Sequence, residues 1–118
     1  MKKIKEILNK KNKTKIICLT AYSKNIAEVI DQFTDLILVG DSLGTALYDY
    51  NTTRKVTLDM MIEHGKSVRK GVLKSLLVID MPFNTYRTKK EAYKNCKRVI
   101  KETKCDAIKL EGGIKIVS

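Results

Sequence analysis

Three short runs in this chain are apolar at every position: Ile16 to Leu19, Leu36 to Val39 and Leu76 to Ile79. Runs with no polar alternation suit strands covered on both faces, as in a parallel sheet. A fourth run, Ala107-Ile108-Lys109-Leu110, is broken by one lysine. Between the runs, apolar residues recur three and four apart, the spacing of a helix stripe. Ile26, Val29, Ile30 and Phe33 form one stripe; Ala92, Cys96, Val99, Ile100 and Thr103 form another. Ile4, Ile7 and Leu8 predict a short amphipathic helix within Met1 to Lys11.

The boundaries carry recognisable chemistry. Ser23 is placed to cap the helix after the first strand, and Thr57 to cap one running to about Lys70. Asp59 suits that helix's first turn, and Gly71 its end. Thr88-Lys89-Lys90-Glu91 reads as a capping box. Pro82 stops the third strand from continuing as an interior ladder member. Thr45 to Lys55 reads as a loop, and Ile114 to Ser118 as the start of another helix. The predicted order is helix, strand-helix three times, then strand, which implies a parallel α/β sheet with right-handed crossovers. Residues 1–118 are expected to form one domain.

The chain has 118 residues and a net charge of +11. Twenty of its 24 basic residues are lysine, and seven of those lie in the first fifteen positions. Arginine forks and stacked aromatics, the usual means of gripping nucleic acid, are sparse, so a solvated basic surface is the better reading. No apolar run approaches the ~20 residues that span a bilayer. Met1 to Lys15 lacks the apolar core of a secretory signal. Cys18, Cys96 and Cys105 form no C-x-x-C pair, which predicts reduced thiols. A cytoplasmic protein binding neither nucleic acid nor membrane is expected.

The acids stand in a pattern. Asp41, Asp80 and Glu111 each follow a predicted strand, and parallel strands would gather all three at one end of the sheet. Three clustered carboxylates repel unless a cation or protons compensate, and a hard divalent ion such as Mg²⁺ is the natural compensator. Lys109 alternates out of register with its apolar neighbours, so its ammonium is expected on the ligand side, placed for a carboxylate or a developing oxyanion. Gly40-Asp41-Ser42-Leu43 is open to a second reading, as the nucleophile block of a GDSL-type hydrolase. That chemistry needs a histidine base, and the only histidine, His64, sits mid-helix.

Val39-Gly40-Asp41-Ser42-Leu43-Gly44, Val56-Thr57-Leu58-Asp59, Asp80-Met81-Pro82-Phe83 and Lys109-Leu110-Glu111-Gly112-Gly113 together resemble the ketopantoate hydroxymethyltransferase family. Thr20-Ala21-Tyr22 and His64 fit the same pattern. The resemblance implies a (β/α)₈ TIM barrel of the phosphoenolpyruvate/pyruvate type, of which this chain supplies the first four strands, a half barrel. It implies transfer of a hydroxymethyl group from the co-substrate 5,10-methylenetetrahydrofolate to the 2-oxo acid 3-methyl-2-oxobutanoate, giving 2-dehydropantoate for pantothenate synthesis. It assigns Mg²⁺ to Asp41, Asp80 and Glu111, and oxo-acid contacts to Asp41, Ser42, Asp80 and Lys109. It places the general base, a glutamate, beyond Ser118, and implies a homo-decamer for the completed enzyme.

The chain departs from that pattern in places. Arg54-Lys55 stands where Leu-Pro is usual, and Ser23 where aspartate is usual. Lys104 and Asn84 replace glycines, and Lys104 falls where a left-handed turn is expected after the helix. A complete barrel takes ~250 residues, so an N-terminal fragment, or a split or decayed form, is expected. A non-catalytic docking module is the alternative.

Overall fold

The computed structural model describes residues 2–117, so the predicted helix start at Met1 and the end at Ser118 lie outside the described residues. Four parallel strands, β1 (Cys18–Thr20), β2 (Leu36–Val39), β3 (Leu76–Asp80) and β4 (Ala107–Lys109), form one sheet whose spatial order follows chain order. Helix α1 (Lys2–Asn9) precedes the sheet. Helices α2 (Lys24–Ile30), α4 (Leu58–Gly71) and α5 (Lys89–Thr103) make the crossovers, and right-handed connections put all three on the same face.

The core lies between that face and those helices. Ile37 and Val39 of β2 and Leu77 and Ile79 of β3 pack with Met61, Ile62 and Val68 of α4 and with Val99 of α5. The register sets Ile37 beside Leu77 and Val39 beside Ile79, so one face of the sheet presents a continuous apolar surface to the helices. Gly71 lets α4 meet α2: a Cβ there would stand 2.5 Å from the Lys24 carbonyl oxygen. The caps form largely as read. Thr57 accepts from the Met60 N–H and Thr88 from the Glu91 N–H. Glu91 reaches back to the Arg87 N–H and not to the cap residue, so the box is only half formed.

Five expectations change. The first strand takes in only Cys18 and Leu19 of the Ile16 to Leu19 run, together with Thr20, and is exposed throughout, because β1 has a neighbour on one side only. On α2 the buried residue is Ala27, while Ile26, Val29 and, in the turn after the helix, Phe33 are exposed. Ser23 occupies the N-cap without a side-chain hydrogen bond. The stretch read as a loop contains α3 (Leu43–Ala46) and a single 3₁₀ turn at Thr53–Lys55, while Gly113–Ile116 forms another 3₁₀ turn. Lys104 does take the left-handed conformation, φ +58°, and Asn84 does so at +64°.

Candidate active site

Parallel pairing brings the carboxyl ends of all four strands to one edge of the sheet, where β1 delivers Tyr22, β2 delivers Asp41 and Ser42, β3 delivers Asp80, and β4 delivers Lys109 and Glu111. The register pairs Asp80 directly with Lys109. Their side chains meet: Lys109 Nζ donates to Asp80 Oδ2 at 2.8 Å and to Glu111 Oε2 at 3.3 Å. The lysine therefore stands among the acids at the strand ends.

Asp80 is buried, and its second oxygen, Oδ1, has no hydrogen-bond partner. Burial pushes its carboxyl above the ordinary range. Lys109 opposes that rise, while the charges of Asp41 and Glu111 add to it. Burial works to lower the Lys109 pKa, but its hydrogen bonds and charge pairing with Asp80 and Glu111 prevail and raise it. Lys109 is therefore an ammonium at neutral pH, clamped between two acids.

The three predicted carboxylates share one end of the sheet without closing around a common point. Among the described residues no three acids, histidines or cysteines stand close enough to cage a metal ion. Lys109 fills the position between Asp80 and Glu111. What remains is a pair: the orphaned Oδ1 of Asp80 and the carboxylate of Asp41, close enough to repel. Two carboxylates completed by water and substrate oxygens are a donor set that suits Mg²⁺. The residues present fit that ion.

Ser42 occupies the N-cap position of the short α3 without a side-chain cap hydrogen bond, and its Oγ lies 2.7 Å from the Tyr22 hydroxyl. Gly44 follows because the returning chain lies on it: a Cβ there would meet Val56 Cγ2 at 2.5 Å. His64 hydrogen-bonds to neither Ser42 nor the strand-end acids. Its Nδ1 donates to the Tyr22 carbonyl at 2.8 Å, and its Nε2 lies 2.9 Å from the Tyr48 hydroxyl. Both ring nitrogens are engaged, so Ser42 has no histidine base, and a GDSL-type hydrolase mechanism lacks its proton acceptor.

Above the acids an open cleft of about 520 Å³ is lined by Asp41, Arg54, Phe83, Tyr86 and Glu111, among others. Sequence reasoning gave Arg54 and Tyr86 no place here. The Tyr86 hydroxyl donates to the Glu111 carbonyl at 2.8 Å and fixes the chain after β4. Only its aromatic character in a loop following a strand-end acid could have pointed to it.

A parallel α/β sheet with an acid-lysine cluster at its strand ends defines an α/β protein whose charged residues gather where such folds place their sites. A model of the ketopantoate hydroxymethyltransferase family matches residues 1–118, and the chain belongs to that family. It is 68% identical over 116 residues to the 3-methyl-2-oxobutanoate hydroxymethyltransferase of Pelagibacter ubique, a match covering 98% of this chain and 45% of that protein. The enzyme of the same name from Anaplasma marginale (strain St. Maries) is 54% identical over 94% of this chain and 40% of its own length. That of Rhizobium etli is 57% identical over 83% of this chain and 36% of its own. The chain thus spans less than half the length of these curated relatives. No described helix is long and apolar enough to cross a membrane.

Proposed function

We propose that this chain forms the metal- and oxo-acid-binding portion of a 3-methyl-2-oxobutanoate hydroxymethyltransferase acting in the pantothenate pathway. The carrying observation is the buried Asp80 carboxylate, with one oxygen on Lys109 and the other unpartnered beside Asp41. Asp41 and Asp80 would hold Mg²⁺, with Glu111 contributing directly or through water. When bound, the ion supplies Lewis acidity that polarises the 2-oxo group and makes the neighbouring C3 proton easier to remove.

The chain's own residues do the rest of the binding work. Lys109 places a fixed positive charge against an anionic oxygen of the oxo acid and stabilises charge that develops as the C3 proton leaves. Ser42, oriented by Tyr22, donates a hydrogen bond to the same substrate. The carbon nucleophile formed at C3 bonds to the methylene carbon of the folate co-substrate; across the reaction that carbon's two bonds to folate nitrogens break, water supplies the hydroxyl oxygen, and tetrahydrofolate leaves with the proton from C3 and one from water. The base that takes the C3 proton comes from outside these residues, because Asp41, Asp80 and Glu111 are committed to cation binding.

The sheet order supports the barrel reading. Doubly wound sheets reverse strand order at a switch point, whereas β1 to β4 succeed one another without reversal, as in a (β/α)₈ barrel. The reading extends to a homo-oligomer, a decamer, in the cytoplasm.

The test is reconstitution. The chain is mixed with the remainder of the Pelagibacter ubique relative, Mg²⁺, 3-methyl-2-oxobutanoate and 5,10-methylenetetrahydrofolate, and 2-dehydropantoate is measured. Product should form only with both polypeptides present, and Asp80→Asn in this chain should abolish it. Wild-type turnover by this chain alone would overturn the division of labour, and no product from the mixture would overturn the reading.

A further inference from the structure

We propose that Arg54 is a carboxylate-docking residue at the mouth of the cleft, binding a carboxylate of one of the two ligands assigned to this site. The inference rests on the functional reading above and adds a specificity contact to it. Three of the chain's four arginines already have acidic partners: Arg69 with Asp106, Arg87 with Glu91, and Arg98 with Asp59 and Glu102. Arg54 has none among the described residues, although it lines the cleft that Asp41 and Glu111 share.

Its side chain is held in a useful orientation. The guanidinium carbon lies 4.6 Å from the centroid of the Phe83 ring, so the aromatic face supports it while its N–H edge stays available. The backbone beneath is fixed as well. Thr52 accepts the Arg54 N–H, and the buried Val56 anchors the end of the turn against Gly44.

The electrostatics of the cleft favour such a group. A ligand carboxylate entering this cleft approaches Asp41 and Glu111, with Asp80 beneath. Lys109 is the other cation of the site and is already engaged by two acids. A planar guanidinium with free donors matches a carboxylate bidentately. The shared chemistry is a carboxylate, supplied either by the oxo acid or by the glutamate of the folate.

The wild-type chain and Arg54→Leu are titrated in Mg²⁺ with four probes: 3-methyl-2-oxobutanoate, 3-methylbutan-2-one, tetrahydrofolate and 6-methyltetrahydropterin. The second and fourth lack the carboxylates of the first and third. Leucine is the residue that the family resemblance places here, so the variant should fold, and circular dichroism checks it. Arg54→Leu should weaken one carboxylate-bearing probe about tenfold and leave the carboxylate-free probes unchanged. Arg54→Lys should recover only part of the loss. A loss confined to 3-methyl-2-oxobutanoate identifies the oxo acid as the source, and one confined to tetrahydrofolate identifies the glutamate. Equal binding of every probe by both proteins, or equal weakening with and without the carboxylate, overturns the inference and leaves the functional reading standing. A wild-type chain that binds neither carboxylate-bearing probe overturns both.

Discussion

The ammonium of Lys109 stands 2.8 Å from Oδ2 of Asp80, while Oδ1 of the same carboxylate is buried without a partner. Two strands in register create this pairing, and it leaves one buried acceptor open for a cation. The arrangement stabilises the fold only while both members are present, because a buried carboxylate stripped of its counter-charge bears its full desolvation cost. Lys109→Met, measured by urea unfolding in a chelator, should therefore cost about 1–3 kcal/mol, the low end reflecting the partial exposure of the lysine. Adding Asp80→Asn should recover part of that loss, and strictly additive costs would show that the two residues are not coupled.

A second carboxylate anchors the fold far from the cleft. Asp31 is buried and accepts the N–H groups of Leu73, Lys74 and Ser75 at 2.9, 3.0 and 2.9 Å, fixing the entry to β3. Burial acts to raise its pKa, but these backbone hydrogen bonds prevail and hold it below the ordinary carboxylate range. A depressed folded pKa means that the unfolded chain binds the proton first. Its contribution is complete above about pH 4 and disappears as the pH falls through the lowered value. Asp31→Asn should cost about 2 kcal/mol at neutral pH, with the difference from wild type narrowing in acid. A gap that stays constant with pH would show that the charge of Asp31 is not what holds the segment.

Lys104 ends α5 in the left-handed conformation, with its N–H on the Ile100 carbonyl at 2.9 Å. A side chain there is strained, and glycine relieves the strain at some cost in unfolded-state entropy. Lys104→Gly should stabilise the chain by about 0.5–1 kcal/mol in thermal unfolding. Asn84→Gly should give less, because asparagine tolerates positive φ. A destabilised Lys104→Gly would mean that the lysine side chain makes a compensating contact.

The positive φ at Lys104 was legible because it depends on neighbours in sequence, and so were the caps at Thr57 and Thr88. The strand-end acids were legible for a related reason: each follows its own apolar run, and parallel pairing then collects them. Exposure was less legible. Ile17 and Leu19 have the composition of buried strand residues, yet they are 50% and 45% exposed on the sheet's edge. Apolar pattern tells which face a residue occupies, not whether anything covers that face. Contacts between distant loops were the least legible. Nothing local to Tyr48 or Arg54 announces His64 or Phe83 as its neighbour, and nothing at Lys109 shows that it separates Glu111 from Asp80.

Tyr22 joins two such distant segments. Its hydroxyl lies 2.7 Å from Ser42 Oγ, and its carbonyl lies 2.8 Å from His64 Nδ1. A carbonyl oxygen only accepts, so Nδ1 carries a proton, and in neutral His64 the bare Nε2 accepts from the Tyr48 hydroxyl. Nitrogen-detected NMR of the neutral ring should accordingly report the Nδ1–H tautomer. Tyr22→Phe keeps the backbone contact to His64 but removes the partner of Ser42, so it should cost about 1 kcal/mol of stability or less. Under the proposed function, it should weaken Mg²⁺-dependent binding of 3-methyl-2-oxobutanoate severalfold, as should Ser42→Ala. If Tyr22 acts through Ser42, the double variant binds no worse than Ser42→Ala alone. Losses that simply add would give Tyr22 a contact with the ligand of its own.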